Sequence, residues 1–342
     1  MNFSNESFTT DLFAQDFFND SFTTSAFAPV FSPVFNPAEP AVIITEAVLS
    51  IAGNLHVLAV TTRRQTFPSA SRLFISSMAW SDLLLGSTFP FMVAPAAAGE
   101  WVYSDTTGRV CAVIGMSSMD ITASALAGLN LDRLYVLMNN GEGISVKKAR
   151  TFLISTWAGI YAFYIFSTVY GVPVYYDLAM ALILYDLKAH MWFTIGMIGI
   201  SSVAHVVTMH CVVRVLRALC AKPSAANANP QQQQAAPNYH SDSSYAKVVL
   251  ILTLVQTAMS SLLFCALMAI LLGHDLPTFL FWSVWVGLSN TFLNVIVSSV
   301  SQESFRKAVA ATATFVASCL YRKLCNRNRV SVDQENIEMS TL

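Results

Sequence analysis

The sequence predicts an all-α membrane protein, a seven-transmembrane helix bundle followed by a short amphipathic helix. Hydrophobic residues make up 54% of the 342-residue chain and charged residues only 11%, whereas a soluble domain carries about 25% charged residues. Seven apolar stretches are each long enough to cross about 30 Å of hydrocarbon. The basic residues gather at alternate ends of these stretches. This composition excludes an ordinary cytosolic enzyme, a nucleic-acid binder and a disordered tail protein.

The seven stretches are interpreted as helices, because backbone polar groups in lipid need internal partners and a continuous helix supplies them. Short polar segments with Gly, Pro, Asn or charge separate one stretch from the next. In chain order, the predicted spans one to seven are 41–62, 72–95, 109–138, 149–172, 190–219, 245–272 and 278–300.

The basic residues also predict the orientation in the membrane. With the N-terminus outside, 17 of the 19 Lys and Arg residues lie on the inner side, and only Arg109 and Lys188 lie outside. We therefore expect a multi-pass plasma-membrane protein with an extracellular N-terminus, although no cleavable signal peptide is evident. Three N-x-S/T sequons fit an outer arm and are candidate glycosylation sites: Asn2, Asn5 and Asn19.

Four segments follow from this organisation. Residues 1–40 are predicted to be a disordered arm, 41–300 the membrane domain, 301–325 an amphipathic juxtamembrane helix and 326–342 a cytoplasmic tail. The helix of 301–325 combines apolar and basic residues, as expected for contact with membrane lipid. Its Cys319 and Cys325 are candidate palmitoylation sites, with free tail thiols as the alternative. Residues 220–244, rich in Gln, Ala, Asn and Pro, are interpreted as a flexible inner loop.

Polar residues within the spans are the candidate functional residues, because an ionisable group in the membrane is costly. Asp82 lies in the middle of span two. Asn290 and Asn294 are four residues apart in span seven and share one helix face. Together with Asn54 and Thr122 they could hold a sodium ion at Asp82, or a network of internal water. The alternative is that each amide simply bonds a neighbouring helix.

A second candidate site is the dipeptide Asp132-Arg133 at the inner end of span three. The adjacent acid and base could form a pair that holds Arg133, and breaking the pair would free Arg133 for a partner. An ordinary interfacial pair is the alternative.

These residues occur in an order and spacing that resemble a class A, rhodopsin-like G-protein-coupled receptor. The resemblance rests on GN in span one, S-x-A-x-S-D-L-L in span two and LDRLY ending span three. It extends to Trp157 in span four, N-x-x-x-N in span seven, EWVY at 100–103 and SFRK after span seven. It covers residues 41–325, and the TFPF and EWVY stretches loosely resemble amine and trace-amine receptors.

The resemblance implies an extracellular ligand and a heterotrimeric G protein that contacts Arg133. It puts Thr122 and Asn290 at the family's sodium-site positions. Gly115 stands where an amine receptor carries its acid, so a small cationic ligand is a weaker expectation. Asp120 is the nearest acid; it could pair with such a ligand or join the Asp82 network, and we favour the network. Trp282 and Trp285 are candidate pocket walls or interfacial anchors.

The chain departs from this family in three ways. Span seven ends Asn294-Val-Ile-Val-Ser298, without the usual proline and tyrosine, and spans five and six lack their usual prolines. Cys111 has no cysteine partner in the second outer loop, so we expect a buried free thiol. The missing hinges keep a second hypothesis open, a silent ligand-binding or scavenger protein that has lost its switch.

Other classes find less support. No lysine lies between Lys247 and Lys307, so retinal cannot be attached in span seven, and a possible sodium ion is the one cofactor expected. No inverted repeats point to a transporter, and no catalytic or metal-binding motif points to an enzyme.

Overall fold

A computed structural model describes residues 37–61, 69–139, 141–220, 236–273 and 276–301, together with positions 307, 310 and 314. The predictions about Asn2, Asn5, Asn19, Cys319 and Cys325 lie outside these residues. So do nearly all of the outer arm and the tail, and most of the inner loop and of the helix predicted over 301–325.

The described residues form a bundle of helices that follows the predicted spans. Span two consists of α2 and α3, span seven of α8 and α9, and each other span of one helix. The bounds are α1 Ala38–Thr61, α2 Ser69–Thr88, α3 Pro90–Ala98, α4 Asp105–Met138, α5 Val146–Val169, α6 Met191–Cys220, α7 Ala236–Leu271, α8 Pro277–Leu288 and α9 Asn290–Ser301. Six of the spans are long and apolar enough to cross a membrane, and serines and Asp82 make span two more polar. The predicted seven-helix fold is confirmed.

Two serines explain where spans three and four begin. Ser104 precedes α4 and its side chain accepts a hydrogen bond from the Thr107 amide, while Ser145 precedes α5 and accepts one from the Lys148 amide. Each serine satisfies an amide that the first helical turn leaves without a partner.

Spans two and seven were predicted as continuous helices, and each is broken once. Span two breaks at Phe89 because Pro90 begins a new helix and lacks the amide that would continue the old one. Span seven breaks at Ser289, whose Oγ donates to the Val286 carbonyl at 2.6 Å. A serine that bonds its own helix backbone can bend that helix. A bend in span seven therefore forms without the proline that the sequence lacks.

The second outer loop forms a β-hairpin that we had predicted only as a loop. β1 (Val174–Asp177) pairs antiparallel with β2 (Leu182–Tyr185), with Val174 opposite Tyr185 and Asp177 opposite Leu182. The turn between the strands is 178–181.

The apolar core has two main clusters, one toward each face of the membrane. The inner cluster includes Phe74, Leu126, Leu129 and Leu153. The outer cluster joins all seven spans to the hairpin, whose strands and turn contribute several of its buried residues. The hairpin therefore belongs to the core of the bundle.

Candidate functional site

Asp82 lies at a point where spans two, three and seven meet. Its side chain is 2% exposed. Thr122 Oγ1 donates to its Oδ1 at 2.7 Å, and Asn294 Nδ2 lies 3.4 Å from its Oδ2. Ser81 Oγ lies 2.7 Å from Thr122 Oγ1 and extends the cluster by one hydroxyl. The structure thus brings together Asp82, Thr122 and Asn294, three of the five residues predicted for this site.

Asn54 joins the same region through backbone atoms. Its Nδ2 donates to the Ser50 carbonyl at 2.9 Å and to the Thr291 carbonyl at 2.8 Å, so it connects spans one and seven. Ser50 Oγ in turn donates to the Asp82 carbonyl at 3.2 Å. Asn54 therefore serves the bundle as a link between helices, the alternative we had considered for the amides.

Asn290 points its amide nitrogen elsewhere, toward Gln256 of span six, to whose Oε1 it donates. Its own Oδ1, Asn294 Oδ1 and Thr291 Oγ1 are buried and have no partner among the described residues. Of these three, Asn294 Oδ1 belongs to the side chain whose nitrogen lies beside the Asp82 carboxylate, and unpartnered oxygens are the ligands that a small hard cation or a bridging water needs. The residues present fit a sodium ion or internal water.

At the inner end of span three, Asp132 and Arg133 form a buried hydrogen-bonded cluster with Ser71, which we call the latch. Asp132 and Arg133 are 1% and 3% exposed and form an ion pair at 2.6 Å. Ser71 of α2 completes the latch: its Oγ donates to Asp132 Oδ2 at 2.6 Å and lies 2.9 Å from Arg133 Nη2. The Ile144 amide donates to Asp132 Oδ1 at 2.8 Å. Both carboxylate oxygens of Asp132 therefore accept hydrogen bonds, and its ion pair with Arg133 holds that side chain inside the protein.

Spans five and six pack against span three at the same end. Asn130 Nδ2 donates to Thr253 Oγ1 at 2.8 Å. Leu134 of span three shares a buried apolar cluster with Val215 of span five and Ala246 of span six. The inner ends of the three spans are therefore in contact, and the inner face is closed around Arg133.

Asp120 is not where we expected it. Its side chain is 6% exposed, and it faces spans four and five, away from Asp82. Tyr164 donates to its Oδ2 at 2.7 Å, and Ser201 donates to its Oδ1. It therefore does not join the Asp82 network, because its position on span three turns it toward other helices. Gly115 lies five residues before Asp120 on span three, and a Cβ atom added to it would lie 3.8 Å from Leu85 Cδ1.

The two candidate tryptophans differ. Trp282 is 45% exposed, as expected for an interfacial anchor, whereas Trp285 is fully buried. Trp285 Nε1 donates to the Met180 carbonyl of the hairpin turn at 2.9 Å. Trp285 thus contacts the chain's own outer loop.

Sequence reasoning missed five side-chain partners of the predicted residues, which are Ser71, Ser81, Tyr164, Ser201 and Gln256. Nothing in the local sequence distinguishes these residues from other polar residues in spans. The one signal was position, since Ser71 is at the inner end of span two and must lie near the inner end of span three in an antiparallel pair.

Cys111 is a buried free cysteine.

The family model described as 7 transmembrane receptor (rhodopsin family) matches residues 53–297 of this sequence. Neuropeptide Y receptor type 4 of Rattus norvegicus is 27% identical over 114 residues, 33% of this chain and 30% of that receptor. Compound eye opsin BCRH1 of Hemigrapsus sanguineus is 27% identical over 125 residues, 35% of this chain and 33% of the opsin. The matched region thus spans about a third of the length of these curated relatives.

The fold is similar to a solved structure. The crystal structure of squid rhodopsin superposes with a TM-score of 0.70 at 18% sequence identity, covering 82% of this chain and 86% of that one. At this identity the likeness concerns the fold.

Proposed function

Because the chain belongs to the rhodopsin family of seven-transmembrane receptors, we propose that it binds an extracellular ligand and signals to a heterotrimeric G protein. In this proposal it is a receptor rather than an enzyme. It sits in the plasma membrane with its N-terminus outside, and the inner end of span three contacts the G protein. The observation that carries the proposal is the latch of Ser71, Asp132 and Arg133.

The latch supplies a switch with two states. In the closed state Arg133 is buried and paired. In an open state the inner ends of spans three, five and six separate and Arg133 becomes available to a partner. A ligand shifts this equilibrium only by the difference in its affinity for the two states. The alternative of a silent binder is not favoured, because the paired residues of a latch are all present.

Replacing Arg133 with alanine is expected to abolish G-protein signalling, because the side chain that contacts the G protein is removed. The measurement is G-protein dissociation in cells, with every G-protein class, at matched surface expression. Lys188→Ala, an exposed cation on the outer side, is the matched control and should signal like wild type. Equal signalling by Arg133→Ala and Lys188→Ala would contradict the proposal, as would the absence of any response from surface-expressed wild type.

For the ligand, a small cationic molecule is our proposal, and Asp120 is the acid that would bind it by a charge-assisted hydrogen bond. Each of its oxygens already accepts one hydrogen bond, from Tyr164 and from Ser201, and a carboxylate can accept further donors, so such a ligand would add its bond to these two. Retinal attached in span seven is not proposed, because the chain has no lysine between Lys247 and Lys307.

We also propose that Asp82, with Thr122 and Asn294, binds a sodium ion with internal water. A ligand that binds only the folded receptor raises its thermal stability with concentration. We therefore expect the melting temperature of purified receptor to rise with NaCl more than with choline chloride at equal ionic strength. Asp82→Asn, which removes the charge and keeps the shape, should lose this difference. A sodium effect of equal size in Asp82→Asn would rule out Asp82 as the site.

A further inference from the structure

The turn of the outer hairpin is buried inside the helix bundle. Met180 is fully buried and Ala181 is 1% exposed, whereas Leu178 on the same turn is 46% exposed. Met180 and Ala181 share the outer apolar cluster with Phe89 of span two, Ala112 of span three and Trp285 of span seven. Burying an apolar side chain such as methionine is strongly favourable. The burial of Met180 therefore stabilises the turn in its position between the helices.

Hydrogen bonds fix the turn in this position. Trp285 Nε1 donates to the Met180 carbonyl at 2.9 Å, and the Met180 amide donates to Asp177 Oδ1 at 3.0 Å. Both polar backbone atoms of Met180 therefore have partners although the residue is fully buried. One partner, Trp285, comes from the bundle, and the other, Asp177, comes from the hairpin itself.

A second contact ties the hairpin to the middle of the bundle. Tyr185 is 2% exposed and its hydroxyl lies 2.7 Å from Thr168 Oγ1 of span four. Burial raises the pKa of Tyr185 to about 12, so this hydroxyl keeps its proton at physiological pH. Its ring packs 5.8 Å from that of Tyr164, which donates to Asp120. Tyr164 thus connects the hairpin residue Tyr185 with Asp120 of span three.

Ligand sites in helical bundles lie between the helices, and the outer end is the one that extracellular molecules reach. There the hairpin turn fills the space between spans two, three and seven. A cavity of about 940 Å³ lies between α4, α5 and α6, where Gly128, Gly159, Gly199 and Lys148 are among its lining residues. No hairpin residue lines it.

The seated hairpin coincides with a closed inner face. In the same structure Arg133 is paired with Asp132, and Asn130 bonds Thr253 of span six. On span seven, Trp285 holds the hairpin, and Asn290, five residues further on and past the break at Ser289, donates to Gln256 of span six. Contacts made in one state only are what bias a two-state equilibrium.

We propose that Met180 and Ala181, the buried part of the hairpin turn, are a tethered ligand of this receptor, which occupies the outer end of the bundle and stabilises the closed, non-signalling state. The inference rests on the proposed function for its signalling consequence. An activating molecule must then displace the turn, and a receptor whose turn is loosened signals without any added molecule.

Signalling tests the inhibitory role of the turn. Trp285→Phe removes the hydrogen bond to Met180 and keeps an aromatic ring, and Met180→Ala removes the buried side chain. Loss of one such contact should raise basal G-protein signalling about two- to tenfold. Leu178→Ala, which alters an exposed residue of the same turn, should leave the signal unchanged. Adding Arg133→Ala to either variant should return the signal to background.

Labelling tests the position of the turn without any signalling readout. In intact cells, a membrane-impermeant thiol reagent should label Leu178→Cys at least tenfold faster than Met180→Cys, with the wild-type chain as background. Equal labelling rates would overturn the inference. It would also be overturned if the hairpin variants did not raise basal signalling while Arg133→Ala lowered it. If no form of the chain signals, the proposed function fails, and labelling still decides whether the turn is seated.

Discussion

Replacing Asp132 with alanine should destabilise the receptor by about 3–5 kcal/mol, because one partner of a buried ion pair is removed and the other stays buried. Asp132 and Arg133 are nearly inaccessible to solvent, and Asp132 also accepts hydrogen bonds from Ser71 and from the Ile144 amide. All three donors lose their acceptor in the variant. Arg133 can regain water only by leaving the closed latch, so basal signalling should rise as stability falls.

The measurements are the melting temperature of purified receptor and basal G-protein dissociation at matched surface expression. The double variant Asp132→Ala with Arg133→Ala removes the uncompensated charge, and it should recover part of the lost stability without signalling. Ser71→Ala removes one hydroxyl from the latch and should have a smaller effect of the same sign. If Asp132→Ala had the melting temperature and the basal G-protein signalling of wild type, the latch would not hold Arg133 in the closed state.

Gly86→Val is expected to disrupt the packing of spans one and two. A Cβ atom added at Gly86 would lie 2.8 Å from Ser50 Cβ and 2.5 Å from Ser50 Oγ, too close for any carbon atom. Ser50 Cβ is attached to its backbone, so the two helices must separate. Close approach at small residues is a main source of helix association in membranes. Overpacking a core typically costs about 1–3 kcal/mol.

The matched control is Gly159→Val in span four, where an added Cβ has no neighbour within 4 Å. Both variants place valine in a membrane helix, so they share any loss or gain of helix propensity and differ in packing. The melting temperature and the surface-expressed fraction should fall for Gly86→Val and change little for Gly159→Val. Similar behaviour of the two would show that contact with Ser50 does not determine stability.

The fold and part of the site could be predicted because they depend on local properties of the chain. Apolar length and the side on which cations lie define the spans, and the spacing of Asn290 and Asn294 puts both on one face. Which helix each amide meets depends on helix rotation and depth, which are tertiary properties. Asn294 therefore lies near Asp82 as predicted, whereas Asn290 donates to Gln256 and Asp120 accepts from Tyr164.

The hairpin was missed for a different reason. Sequence recognition of a hairpin relies on Gly or Asn in the turn. Here the turn reads Leu-Ala-Met-Ala, and Ala181 adopts a left-handed φ of 50°. A β turn made of apolar residues resembles a loop or a helix fragment in the sequence. It is stable only because the bundle buries it, which no local pattern can reveal.

The hydrogen bond from Asn54 to the Thr291 carbonyl has a consequence for biosynthesis. These residues are 237 positions apart, so at about 5–20 residues per second the ribosome needs roughly 10–50 s to supply the acceptor. Throughout that interval the Asn54 side-chain amide must donate this hydrogen bond to water, to lipid headgroups or to the translocation machinery. The link between spans one and seven can form only after the last helix enters the bilayer, and a truncated chain that ends before Thr291 would lack it.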